Sequence, residues 1–456
     1  MKHGSLMLAA GAVCAFAATM LATGCERDFF HTPGARDIVF SADTLSFDTI
    51  YAGFTTPTRR LLVRNVGDED VTLDRIVLEG GASSPFMVNI GGLPSADAQG
   101  VRLCGGDSLF VFFSVQEPRV AGGLALGRLS DRLIVSGGAN SWAAVVQAVV
   151  RNVEVAPSAV SADVQWLCDS IPYLVEDSLA VESGATLLIG PGVTVLMDRG
   201  AVVSVEGRLV VAAEPARRSS FAPLRSDGFY ESIPGQWGGV RLGGGALADV
   251  SYCDFACPSF GFLCDSSSSL SADGVWIRDV AKAGVAASMA DVRMSNSIVS
   301  DCGGGAFSLR GGRAILRHVT VADYYSWDHR SVPALSFGAA GSDEASLTVD
   351  NSIIVGGLSA EVEADSMEVG RAQIRHSLVK ADKKKVSAAS DVFVGCVVAT
   401  DARFADRLSA DYHLTESSAA IGLADRSLAA DLPSDFEGAF RRADEPWHAG
   451  ALQSVE

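Results

Sequence analysis

Val292-Arg-Met-Ser-Asn-Ser-Ile298 and Leu347-Thr-Val-Asp-Asn-Ser-Ile353 follow one pattern: apolar residues in alternation, an Asn-Ser pair, then an isoleucine that starts a new run. Four further stretches carry a looser form of it: Leu247-Ala-Asp-Val-Ser-Tyr-Cys253, Leu270-Ser-Ala-Asp-Gly-Val-Trp276, Ile315-Leu-Arg-His-Val-Thr-Val321 and Gln373-Ile-Arg-His-Ser-Leu-Val379. Aligned on their first residues, the six start points step by 23, 22, 23, 32 and 26 residues. A period near 22 built of β-branched residues and Gly/Asn/Asp/Ser punctuation predicts short strands stacked rung on rung, each coil burying its inner face against its neighbours. Parallel strands pair about 4.8 Å apart, so equivalent positions in successive coils form ladders. Asn296 and Asn351 share one offset. Asparagine tolerates left-handed backbone and its amide can bond the next rung, so both are expected at tight corners.

Length and composition set the outer limits. The 456 residues leave room for two or three domains, and 47 glycines exceed the usual share. A formal charge of −18, spread along the chain, argues against nucleic acid as a partner and against adsorption to anionic lipid. Lys383-Lys384-Lys385, the one basic run, reads as a solvated turn.

At the N-terminus Lys2 and His3 precede an uncharged stretch from Gly4 to Gly24, the layout of a secretory signal. It closes in Leu21-Ala-Thr-Gly24-Cys25, which resembles the lipobox of bacterial lipoproteins, with the usual leucine one place early and Ala22 in its position. The resemblance implies cleavage before Cys25, lipidation of Cys25 and a membrane partner through that anchor. Residues 1–24 are then the signal peptide and 25–36 a tether. Glu26 and Asp28 resemble the surface-export signal of Bacteroidota lipoproteins. The implied location is the outer membrane, facing the periplasm or the cell surface. Seven cysteines remain after Cys14 and Cys25: Cys104, Cys168, Cys253, Cys257, Cys264, Cys302 and Cys396. None is in CxxC spacing, so they are expected as small buried residues with one or two disulfides rather than a metal set.

Residues 37–155 predict a β-sandwich, with strand-like runs at Leu45-Tyr51, Arg59-Asn65, Val71-Glu79, Phe86-Ile90, Ser108-Gln116, Arg132-Ser136 and Ala143-Val155. Leu61-Leu-Val-Arg-Asn-Val-Gly67 followed by Val71-Thr-Leu resembles the Ig-like domains that precede repeats in bacterial surface proteins. From Ala156 the pattern changes. Ala185-Thr-Leu-Leu-Ile-Gly-Pro-Gly-Val-Thr-Val-Leu196 and Ala201–Val211 resemble the first coils of a right-handed parallel β-helix of the pectin-lyase-like kind, and Pro234-Gly-Gln-Trp-Gly-Gly-Val240 fits the same lineage. Asp411–Gly422, Asp435-Phe-Glu-Gly438, Arg441 and His448–Leu452 resemble the closing coil of such proteins. The expected class is all-β, a sandwich followed by a β-helix over 156–456.

Two features carry candidate chemistry. Asp279, Asp301 and Asp323 fall nine, nine and eight residues after their repeat starts, so they are expected to stack. Carboxylates about 5 Å apart could serve a retaining glycosidase or hold Ca²⁺; solvated turn aspartates are the expectation here, because repeat arithmetic alone produces such ladders. The 32-residue step contains an insertion, Asp323-Tyr-Tyr-Ser-Trp-Asp-His-Arg330, and insertions in solenoids emerge on one face. Its Tyr324, Tyr325 and Trp327 could stack on sugar rings, with Asp328, His329 and Arg330 as polar groups. Val275-Trp-Ile-Arg-Asp279 departs from the pectate-lyase signature, with Arg278-Asp279 in place of Asp-His, and the chain has no GxSxG, HExxH or P-loop. The sequence therefore predicts a lipid-anchored envelope scaffold that binds a polysaccharide or a surface protein, with no cofactor, no metal and no catalytic residue assigned. A polysaccharide lyase or glycoside hydrolase is the alternative.

Overall fold

The computed structural model describes residues 31–34, 36–115, 127–167, 169–225, 228–338, 345–362 and 371–455. The signal stretch, Cys25, Glu26, Asp28 and Cys168 lie outside them. The chain divides into two compact units between Asn152 and Val153, each with its own apolar core. The division falls before Ala156 because Glu154–Val155 already pairs in parallel with the strand at Tyr173.

In the first unit two sheets face each other. The four-stranded sheet orders Ile38–Phe40, Arg59–Asn65, Ser108–Val115 and Phe86–Ile90; the five-stranded one orders Thr44–Tyr51, Asn140–Arg151, Gly127–Gly137, Val71–Leu78 and Asp97–Leu103. All neighbours are antiparallel except Thr44–Tyr51, which runs parallel to Asn140–Arg151. Alternation sends Leu61, Val63, Val111 and Phe113 inward to meet Leu73, Ile76, Val135 and Val146. Ile38–Phe40 and Asp97–Leu103 are strands that the sequence pattern did not reveal. The second is an edge strand with little apolar alternation and a Gly100 at φ +61°, so its pairing comes from its neighbour rather than from burial.

The second unit is a parallel β-helix. Every third strand pairs in parallel, so the chain winds round three sheets of eleven, eight and ten strands. A representative coil places Trp276–Arg278 on the first sheet, Val285–Ser288 on the second and Asp291–Ser295 on the third; the next repeats with Ile298–Ser300, Phe307–Arg310 and Gly312–Arg317. The inward ladder on the third sheet is Ala248, Leu270, Val292, Ala314, Leu347 and Ala372. Three of the residues that open the sequence repeats, Leu247, Ile315 and Gln373, thus stand one place off this ladder and on the outer face. A one-residue slip flips every side chain, and the sequence permits the slip because alanine marks the inner position faintly beside an outward Leu or Ile. In correct register the steps are 22, 22, 22, 33 and 25.

Between the third and first sheets the chain turns on one left-handed residue per coil: Tyr252, Gly274, Asn296, His318, Asn351, His376 and Gly395 all have φ between 45° and 65°. Asn296 and Asn351 are the corners their shared offset predicts. Asn296 Nδ2 donates to Asp273 Oδ1 of the preceding coil at 3.0 Å. Among the described residues Cys104, Cys253, Cys257, Cys264, Cys302 and Cys396 are all free thiols, so no disulfide forms there. Cys253, Cys264 and Cys302 occupy separate inner positions of the coils, where they fill space as small apolar groups. Lys383–Lys385 opens a short helix, Lys383–Ala388, with Asp382 as its N-cap.

Residues 399–455 do not form a closing coil. They run back as a strap along the outer face of the first sheet. Leu414, Ala420 and Ala449 pack on Ile353, Val355 and Leu378; Tyr412, Phe436, Ala451 and Leu452 pack on Ile298 and Ala322. The first-sheet strands Ile298–Ser300, Thr320–Asp323 and Ile353–Gly356 are buried at every residue, whereas neighbouring second- and third-sheet strands alternate. A sheet apolar on both faces needs cover on both, and the strap supplies the outer one. Polar bonds fix its path: Arg441 Nη1 donates to Asn296 Oδ1 at 2.8 Å, Asn351 exchanges two hydrogen bonds with the backbone of Asp425, and the Gly450 carbonyl lies 3.1 Å from His318 Nδ1.

Candidate functional site

The insertion leaves the coil between the first and second sheets, and its residues part company. Arg330 is buried. It donates to both carboxylate oxygens of Glu361 at 2.6 and 2.7 Å and to the carbonyls of Asp323 and Val332. Glu361 also accepts from the backbone of Ala334 and Leu358. This pair staples the loop to the coil, so Arg330 is a structural residue and not an exposed binding group. Tyr324 packs with the strap, its ring 4.5 Å from the Arg407 guanidinium. Tyr325 lies against Gly303, where a Cβ would stand 3.0 Å from its ring. Of the six candidate binding residues only Trp327, 44% exposed, with Asp328 and His329, faces solvent. The loop does not present a three-ring platform.

At the same corner the aspartates do stack, and they are not solvated. Cys257, Asp279 and Asp301 share left-handed φ values of 59°, 56° and 54°, and Asp323 follows one coil on. Asp279 is ion-paired to Arg278 at 2.8 Å. Asp301 accepts from the Tyr412 hydroxyl of the strap at 3.4 Å. Asp323, fully buried, accepts from the Cys302 N–H at 2.8 Å and stands 3.3 Å from Arg330. Burial pushes all three carboxyls above their ordinary range: Asp301 to about 6, helped by the charge of Asp279, and Asp323 to about 7 against the pull of Arg330. The ladder links coil to coil and coil to strap. Among the described residues no group of three His, Cys, Asp or Glu is placed to hold a metal ion.

A third feature was not legible as a site. Where the second sheet turns into the third, a groove of about 840 Å³ crosses five coils, lined by Ser267, Ser269, Asp291, Arg313, Ser346 and Arg371 among others. Four coil steps span roughly 19 Å. Gly312 sits on its floor at φ +68°, and a Cβ there would come within 2.3 Å of the Ala290 carbonyl, so only glycine lets the chain lie this low. Asp291 is neutralised by Arg293 at 3.0 Å. The Arg313 guanidinium, by contrast, has no hydrogen bond or ion pair to any described residue, and neither has that of exposed Arg310 just before it, although both backbones are bonded within the coils. The signal in the sequence was Arg310-Gly-Gly-Arg313 facing the serine run 266–269, a juxtaposition that only the 22-residue register creates.

No family model matches the chain, and no curated protein matches it. A solved structure of a family 123 glycoside hydrolase from Clostridium perfringens aligns at TM-score 0.18 and 9% identity, over 28% of this chain and 26% of the other. The VesB protease of Vibrio cholerae aligns at TM-score 0.18 and 13% identity, over 25% of this chain and 32% of the other. The aligned part thus spans a third or less of either protein, and at such scores neither likeness bears on fold or activity.

Proposed function

We propose that this chain is a lipid-anchored envelope protein whose β-helix holds an extended polymer, a glycan foremost, along the serine–arginine groove without turning it over. The groove carries the reading: it repeats one spacing over five coils, as a periodic ligand requires, and it offers hydroxyls and a guanidinium left unpaired among the described residues. The anchor rests on Gly24-Cys25 and its likeness to a lipobox. Two measurements test the two halves. On a glycan array Arg313→Glu is expected to lose the signal while Trp327→Ala keeps it; the opposite result would move binding to the loop. Cys25→Ser is expected to abolish lipid labelling and membrane retention, and unchanged fractionation would refute the anchor.

One observation favours hydrolysis or lyase chemistry as the second reading. The Asp301 carboxyl, raised to about 6 beside Asp279, has the poise of a general acid. Glycan cleavage that disappears in Asp301→Asn would establish it.

A further inference from the structure

Among the described residues nothing covers the outer face of the four-stranded sheet in the first unit. Cross-strand register places Val39 beside Arg64, Leu62 beside Phe110, Arg60 beside Phe112, and Met87 beside Ser114. Phe110 and Phe112 stack at 5.9 Å and 9°, yet remain 41% and 36% exposed, and Met87 is 48% exposed. The Arg60 guanidinium stands 5.8 Å from the Phe110 ring. Neither Arg60 nor Arg64 forms an ion pair with a described residue, and no outward position of the four strands is Asp or Glu. An apolar, aromatic patch fringed by unpaired arginines is the surface that enters a lipid headgroup layer, rings into the acyl boundary and cations among phosphates.

The charge of the chain does not oppose this locally. Residues 31–152 hold ten arginines against twelve carboxylates, a net −2, so most of the −18 belongs to the β-helix. Screening within about 10 Å then lets the carboxylate-free face act on its own. The chain path adds proximity. His31 is fixed by its bridge to Val71 and its N–H bond to the Asp70 carbonyl, at the end of the sandwich where Asn65 bonds Glu69. Five residues separate Cys25 from His31, a reach of roughly 20 Å at full extension. An isologous contact with a second copy is the poorer match, since it would gather four unpaired arginines with no carboxylate between them.

We infer that this face, centred on Phe110 and Phe112 and rimmed by Arg60 and Arg64, docks on an anionic phospholipid surface and lays the sandwich against the membrane. The surface stands independently of the groove, and the lipid anchor adds only proximity, so a test without lipid separates the two. The protein from Glu26 onward, both units intact, is co-sedimented with vesicles of equimolar phosphatidylglycerol and phosphatidylcholine, and with phosphatidylcholine alone. Binding is expected to the first and to fall with salt. Phe110→Ser/Phe112→Ser and Arg60→Glu/Arg64→Glu are each expected to weaken it about tenfold or more, with unchanged thermal unfolding showing that the sandwich is intact. Equal binding to both vesicle types, no binding, or full binding by the intact double variants would overturn the inference. Concentration-dependent dimers lost in the Phe variant, without vesicle binding, would overturn it in favour of a second copy.

Discussion

Asp301 shows how far a corner residue departs from the solvated turn that its sequence context implies. Its folded pKa of about 6 exceeds the ordinary aspartate value of about 3.9, so the folded state keeps a proton that the unfolded chain has lost. The stability it contributes is complete below pH ~4 and falls as pH rises to about 6. Buried His318, held down to about 3, works the other way and costs stability as pH falls below ~6.5. Asp301→Asn is therefore expected to stabilise at pH 8 by up to about 2 kcal/mol and to change little at pH 4. Urea midpoints at both pH values check this, and a variant weaker at pH 8 than the parent would mean that the ionised carboxylate is the bound form. The repeat spacing made the stacking of Asp279, Asp301 and Asp323 legible. Their burial was not, because it comes from Tyr412 and Arg330, residues that no period places there.

At the scale of the element, the strap and the first sheet depend on each other. Ile353-Ile-Val355 and Thr320-Val-Ala322 are continuous apolar runs inside a repeat whose other strands alternate, and that contrast was the available sign that something lies on top. What lies there was not readable, since Asn351 meets Asp425 and Asn296 meets Arg441 across 74 and 145 residues. In a solenoid each coil leans mainly on its neighbours, so removing the strap should act where it sits. A chain ending at Val398 is expected to bind a hydrophobic dye and to exchange the amides of Ile298–Gly356 faster, while Thr186–Val211 stays protected. Uniform protection along the solenoid would show the strap to be a passenger.

For the whole molecule, the legible part was what repeats locally: strand period, corner asparagines and the change of pattern near Ala156. Register was half legible, failing where Ala248, Ala314 and Ala372 hold the inner position. The groove and the basic-aromatic face escaped because each is assembled from residues a coil or a strand apart. The strap also sets an order in time. Residues 399–455 emerge after every coil they cover, so coils can zip onto one another as they are delivered while the first sheet stays wet on its outer side. A chain halted before Tyr412 is well wound and still adhesive, and a holdase or protease can tell it from a finished one by that face alone.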